Sequence, residues 1–218
     1  MKKSFILLFV VTIFIASCSI TQEYHFNKDL SGTSSTTVDV SMLKGFMGGM
    51  DSTGSADKTL DSLGLAFSEV SSKLEEAGAK NVKYGWNEDK TILSISYDFS
   101  DLDNLNKCLT ADNSSDKLLG VMGESSGKIS FSGNKKALQY KVPKKSVMDS
   151  TLNTTEMQSM KDYYKYSLIL SFDQKIKSID NKAATISEDG KKVTMNCSLL
   201  DLASPTFNSD ILVKLKKK

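Results

Sequence analysis

Hydrophobic positions along the 218-residue chain follow three rhythms, and each predicts a different kind of element. The first has no period at all: positions 5–15 form a hydrophobic run of eleven residues, whereas a helix that crosses a bilayer needs about 20. The second has the period of a helix. Leu60, Leu63, Phe67, Val70 and Leu74 are spaced 3-4-3-4, which lines them up on one stripe and predicts a helix over 57–77, closed by Gly78 in the left-handed conformation. Ser100 predicts the start of another helix, with Asp103 at capping-box spacing and Leu102, Leu105 and Leu109 on its apolar side. A weaker helical stretch lies near 155–161.

The third rhythm is alternation, the signature of strands with one buried face. Over 22–30 it sets Tyr24 and Phe26 against polar neighbours, Ser31-Gly32 turns the chain, and Thr36, Val38, Val40 and Met42 return. Segments 81–86 and 91–99 pair across Asn87-Glu88-Asp89-Lys90, with Leu93, Ile95, Tyr97 and Phe99 on one face. Further hairpins are predicted for 128–132 with 137–142, and for 183–186 with 192–199 around Ser187-Glu188-Asp189-Gly190. Segment 164–172 alternates cleanly, and Ile211, Val213 and Leu215 mark a last strand. Strands that arrive as sequential hairpins predict an α+β fold, a mainly antiparallel sheet with two to three helices packed on one face. Positions 42–57, rich in Gly and Met, and 110–127, rich in Ser, Asp and Gly, read as long loops. The chain has two prolines and no Pro-rich linker, so a single domain is expected.

Composition then removes several kinds of chemistry. All 28 basic residues are Lys, and His25 is the sole imidazole. Base and phosphate recognition leans on the guanidinium fork, so no nucleic-acid partner is expected. Setting aside Lys2 and Lys3, ahead of the hydrophobic run, leaves 26 Lys against 26 Asp plus Glu, so the formal +2 is not a sign of a polyanionic partner. The cluster Lys214-Leu215-Lys216-Lys217-Lys218 reads as a solvated tail after a strand.

Motif-like strings yield no catalytic set. Gly123-Glu124-Ser125-Ser126-Gly127 has the form G-x-S-x-G, yet a strand rather than a helix follows it and His25 lies roughly a hundred residues upstream, so Ser125 lacks the setting of a nucleophile elbow. Asp29-Leu30-Ser31-Gly32 reads as a turn. Asp101 and Asp103 fall in the first turn of a helix, where acids favour the dipole, and the pattern of an EF-hand is not met. His25 is out of phase with Tyr24 and Phe26 and should point to the less buried face. Met42, Phe46, Met47 and Met50 among Gly45, Gly48 and Gly49 have the composition of an adaptable apolar pocket or a soft-metal site, but also of a loop with a few packing residues. No CxxC spacing and no second His are present, so neither a metal nor a cofactor is expected.

The hydrophobic run ends at Ile15-Ala16-Ser17-Cys18, and here the chain resembles a bacterial lipoprotein precursor, since that quartet has the form of a lipobox. The resemblance implies a signal peptide over 1–17, diacylglycerol on the sulfur of Cys18, and cleavage that makes Cys18 the new N-terminus. Residues 18–22 would then be a short tether of about 15 Å, and 23–218 a single α+β envelope domain held close to its membrane. Ser19 is not the Asp associated with inner-membrane retention, which implies the outer membrane, facing the periplasm. Outside the cytoplasm the remaining even pair, Cys108 and Cys197, is compatible with a disulfide, although both also sit at core-facing positions of their elements. The string Glu23-Tyr24-His25-Phe26-Asn27-Lys28-Asp29-Leu30-Ser31-Gly32-Thr33 directly after the lipobox, with the later Ile186-Ser187-Glu188-Asp189-Gly190-Lys191 turn, resembles uncharacterised Bacteroidota lipoproteins and LppM-like envelope lipoproteins.

The resulting expectation is a non-catalytic binding or interaction module, anchored by lipid on Cys18, whose partner is an envelope protein or a hydrophobic ligand. A carrier or sensor holding a hydrophobic ligand between sheet and helices is the alternative, and an envelope hydrolase the third.

Overall fold

The computed structural model describes residues 18–41, 44, 55–111, 129–142, 164–204 and 206–216. The expected helical stretch at 155–161, Ser125 with its motif, and most of the expected loops 42–57 and 110–127 lie outside these residues. Within them the order is β1 (Cys18–Phe26), β2 (Gly32–Asp39), α1 (Ser55–Glu76), β3 (Lys80–Trp86), β4 (Ile92–Phe99), α2 (Leu102–Ala111), β5 (Ser130–Asn134) and β6 (Ala137–Lys141). The chain continues with β7 (Tyr164–Phe172), β8 (Ile176–Ile179), β9 (Ala184–Ile186), β10 (Lys192–Ser198), α3 (Leu199–Ala203) and β11 (Ile211–Leu215).

The fold is α+β and mostly antiparallel. Seven strands form one sheet in the order β3-β4-β2-β1-β7-β10-β9, and four form another in the order β5-β6-β11-β8. Strand β1 is the middle of the larger sheet, antiparallel to β2 and parallel to β7, with Ile20 opposite Val38 and Tyr166, and Tyr24 opposite Ser34 and Leu170. This parallel pair joins residues more than 140 positions apart, so no hairpin signal announces it.

Alternation assigns each strand an apolar face, and register stacks those faces into one. Leu93, Ile95, Tyr97 and Phe99 of β4, Ile20, Tyr24 and Phe26 of β1, Leu168, Leu170 and Phe172 of β7, and Val193 and Met195 of β10 are all buried. That face is covered by two kinds of element. Helix α1 contributes Phe67, Val70 and Leu74, as its 3-4 spacing predicts, each contributing about 1.5–3 kcal/mol by burial. The smaller sheet supplies Phe131, Leu138, Tyr140, Ile211 and Val213. Phe131 connects the layers: its ring lies 4.8 Å from Tyr24, 5.4 Å from Phe26 and 5.2 Å from Tyr140. Helix α2 holds it in place, because the Asn106 side chain accepts from the Phe131 amide and donates to its carbonyl, both at 2.8 Å, as a neighbouring strand would.

Helix α1 ends where Gly78 stands at φ +93°. The Ala79 amide donates to the Leu74 carbonyl and the Gly78 amide to that of Glu75, which completes a Schellman motif with Ala79 packed in the core beside Leu74. Helix α2 is capped by Asp101, whose carboxylate accepts from the Asn104 amide at 2.8 Å, one residue later than the expected Ser100 start. At Gly32 the constraint is space: a Cβ there would stand 1.7 Å from the His25 carbonyl oxygen and 2.8 Å from the Phe99 ring. The rings of Phe26 and Phe99 instead close over the gap edge to face at 5.6 Å.

Three expectations change. Residues 18–22 are not a tether: β1 begins at Cys18, and Ile20 and Gln22 are buried in the sheet. Of the two further cysteines, Cys108 is buried on α2 and Cys197 stands on β10 opposite Tyr166, as the core-facing reading of both places them. Strand β8 and helix α3 were not expected, since each is too short to show a period; α3 is started by a Ser198–Asp201 capping box. The helices share the apolar face with a second sheet, because alternation reveals that a strand has a buried side but not which sheet it joins.

The core carries one buried polar chain. The Tyr166 hydroxyl donates to Gln22 Oε1 at 2.7 Å and lies 3.4 Å from the Tyr140 hydroxyl. Burial pushes both phenols up from their ordinary value. The neutral phenols are therefore favoured in the folded state, so their stabilisation is complete below the unfolded tyrosine value, about 10, and is lost as pH rises beyond it. Urea unfolding should show stability falling above about pH 10, with a shallower fall in Tyr140→Phe. At neutral pH Tyr166→Phe, which leaves the buried Gln22 carbonyl without its donor, is expected to cost about 1–3 kcal/mol. Tyr140→Phe should cost less, because its hydrogen bond is long. Gly32→Ala should lower the urea midpoint with unchanged slope, at a cost of about 1–3 kcal/mol or more.

Candidate functional site

The larger sheet has a second face, and it differs sharply from the first. On β1 it carries Ser19, Thr21, Glu23 and His25; on β2, Thr33, Ser35, Thr37 and Asp39; on β7, Lys165, Ser167, Ile169 and Ser171. Alternation explains the composition. When the even positions of β1 go into the core, the odd ones must meet water or a partner, and short hydroxylated side chains suit a strand without adding apolar surface.

Cys18 is the first residue of β1, in register with Tyr164 of β7. Immediately beyond it a groove of about 390 Å³ is formed by three residues from each of three adjacent strands, 19–21, 165–167 and 196–198. Register sets its floor in rows. Ser19 stands beside Lys165 and Lys165 beside Ser198, while Thr21 stands beside Ser167 and Ser167 beside Asn196. Asp39 of β2 flanks the first row on the other side of Ser19. The groove thus offers the hydroxyls of Ser19, Thr21 and Ser167, the Asn196 amide and one ammonium, with a carboxylate at its border. Ser198 is committed to the cap of α3, donating to Asp201 at 2.9 Å and accepting from its amide at 3.0 Å. Asp39 spends one oxygen on the Ser41 amide at 2.9 Å, and its second is not part of that bond. The arrangement can hold a polar group by hydrogen bonds and by one charge of each sign.

His25 occupies the same polar face at the opposite end of β1. It is 40% exposed by its side chain, with Nε2 3.5 Å from Asp173, and the neighbouring Ser171 hydroxyl donates to Glu23 at 3.3 Å. Asp29 accepts from the Ser31 hydroxyl at 2.7 Å and the Ser31 amide at 3.1 Å, and Asp189 accepts from the Ser187 hydroxyl at 2.5 Å and the Lys191 amide at 3.0 Å. These bonds lower both carboxyls from their ordinary value, and those of Asn104 and Ser100 do the same for Asp101. All three acids therefore serve turns or caps. Among the described residues no three His, Cys, Asp or Glu side chains gather as a metal site, and no helix is long and apolar enough to cross a membrane. The space between the larger sheet and its cover, where a hydrophobic ligand was expected to sit in a carrier, holds the Phe26, Phe131 and Leu168 cluster.

Sequence reasoning missed the groove. Its signal was present only as polar residues at alternate positions of three separate strands; the pairing that makes them neighbours spans more than 140 residues.

No protein-family model and no curated protein matches the chain. Among solved structures, it is similar to the folded domain of the LppM protein of Mycobacterium tuberculosis, determined by NMR, with a TM-score of 0.45 and 10% identity over 93% of this chain and 91% of that one, a likeness that assigns neither a family nor an activity.

Proposed function

We propose that the chain is a lipoprotein of the bacterial cell envelope, anchored through lipid on Cys18, that binds a partner at the membrane surface without catalysing a reaction. The observation that carries this reading is the position of Cys18 as the first residue of the central strand, beside a groove whose lining residues include Ser19, Thr21, Lys165, Ser167 and Asn196. A lipid there is joined to the sheet without a linker, so the groove is held within one or two residues, under about 10 Å, of the anchor. The hydroxyl and amide lining suits hydrogen-bonded recognition. The lipobox residues Ile15-Ala16-Ser17-Cys18 supply the chemistry of attachment, and Ser19 favours the outer membrane, facing the periplasm.

Cells fed radiolabelled palmitate should yield a labelled protein that fractionates with membranes. Cys18→Ala should carry no label and should retain the uncut leader. An unlabelled wild type, or label that survives Cys18→Ala, overturns the reading.

A further inference from the structure

We infer that the groove beside Cys18 is a binding site for a zwitterionic phospholipid headgroup of the phosphoethanolamine class. The inference deepens the membrane reading and rests on it for the source of the ligand. Its basis is the charge pattern along the row of residues that starts outside the groove at Asp39 and runs into it. Asp39, Ser19 and Lys165 are successive neighbours on β2, β1 and β7, and register directs all three to the polar face. Adjacent strands lie about 4.8 Å apart, so the carboxylate and the ammonium flank Ser19 from backbones about 10 Å apart. A single phosphate meets only half of that pattern, since Asp39 repels it. A primary ammonium meets only the other half. A headgroup with phosphate and ammonium a few ångströms apart meets both, its phosphate at Lys165 with the hydroxyls of Ser19 and Ser167, its ammonium at the Asp39 carboxylate.

Volume and position agree with this. About 390 Å³ exceeds the size of a phosphoethanolamine unit and leaves room for the glycerol beneath it. The groove starts one residue after the lipidated position, at the depth where headgroups lie, so the ligand is carried by the same membrane that holds the anchor.

The test uses the full chain in non-ionic detergent, titrated with dihexanoyl lipids below their micelle concentration and read by isothermal calorimetry. Dihexanoyl-phosphatidylethanolamine should bind about tenfold more tightly than dihexanoyl-phosphatidylglycerol, which lacks the ammonium. Lys165→Gln and Asp39→Asn should each weaken it by about tenfold, whereas Lys83→Gln, on the outlying strand β3, should not change it. Equal or tighter binding of the glycerol lipid, or indifference to both substitutions, overturns the proposal. Free phosphoethanolamine binding as tightly as the lipid overturns the assignment to a membrane source. The Cys18→Ala chain in the same detergent should bind undiminished, which separates failure of the groove from failure of the anchor.

Discussion

Strand β1 is the constraint on which the rest of the molecule depends. It is paired on both sides, to β2 by an antiparallel ladder from Ser19 to Phe26 and to β7 by a parallel one from Cys18 to Phe26. The first ladder is a local hairpin and forms at small cost in loop entropy; the second closes a loop of more than 140 residues and needs the packed core to hold it. Because the side-chain period of a strand is two, a slip of one residue in either ladder would exchange Tyr24 and Phe26 for Glu23 and His25 in the core. Burial of the aromatic rings therefore sets the register, and the register sets everything that stands on the opposite face.

The aromatic contacts show how that choice propagates. Phe26 packs against Phe99, Phe172 and Phe131, so one side chain of β1 touches strands from both flanks of its own sheet and one from the other sheet. Phe131 in turn depends on Asn106 of α2, which satisfies the strand's backbone groups while the ring faces inward. The smaller sheet is thus fixed to the larger by apolar contact and to α2 by hydrogen bonds. The Gln22–Tyr166–Tyr140 chain crosses the same boundary and is the polar counterpart of that joint. A satisfied polar chain in an apolar core specifies one arrangement of its members, since any other leaves a buried group unpaired.

Function, on this view, belongs to the face the core does not use. The side chains that point away from Phe26 and Leu168 are mostly polar, many of them short and hydroxylated, and at the Cys18 end they border a groove with Lys165 in its lining and Asp39 beside it. A domain joined to a membrane directly through its central strand needs no reach to meet a lipid surface. On the proposed reading a lipid on Cys18 would supply membrane affinity without a basic patch, which fits the balance of 26 Lys against 26 Asp plus Glu beyond Lys2 and Lys3.

The local elements were legible because their signals are local. The 3-4 spacing from Leu60 to Leu74 with Gly78 beyond it, the alternation of Leu93, Ile95, Tyr97 and Phe99, and the turn residues at Asp29 and Asp189 each act within a few residues, and helix, strand and turns stand where those patterns put them. The α+β class followed from the same patterns. Three things were decided only by the tertiary structure: that 18–22 is strand rather than tether, that β1 lies parallel to β7, and that Asp39, Ser19 and Lys165 stand in one row. Each depends on contacts between segments far apart in sequence, where a residue's neighbour is chosen by the packing of the whole core and leaves no trace in the residues beside it.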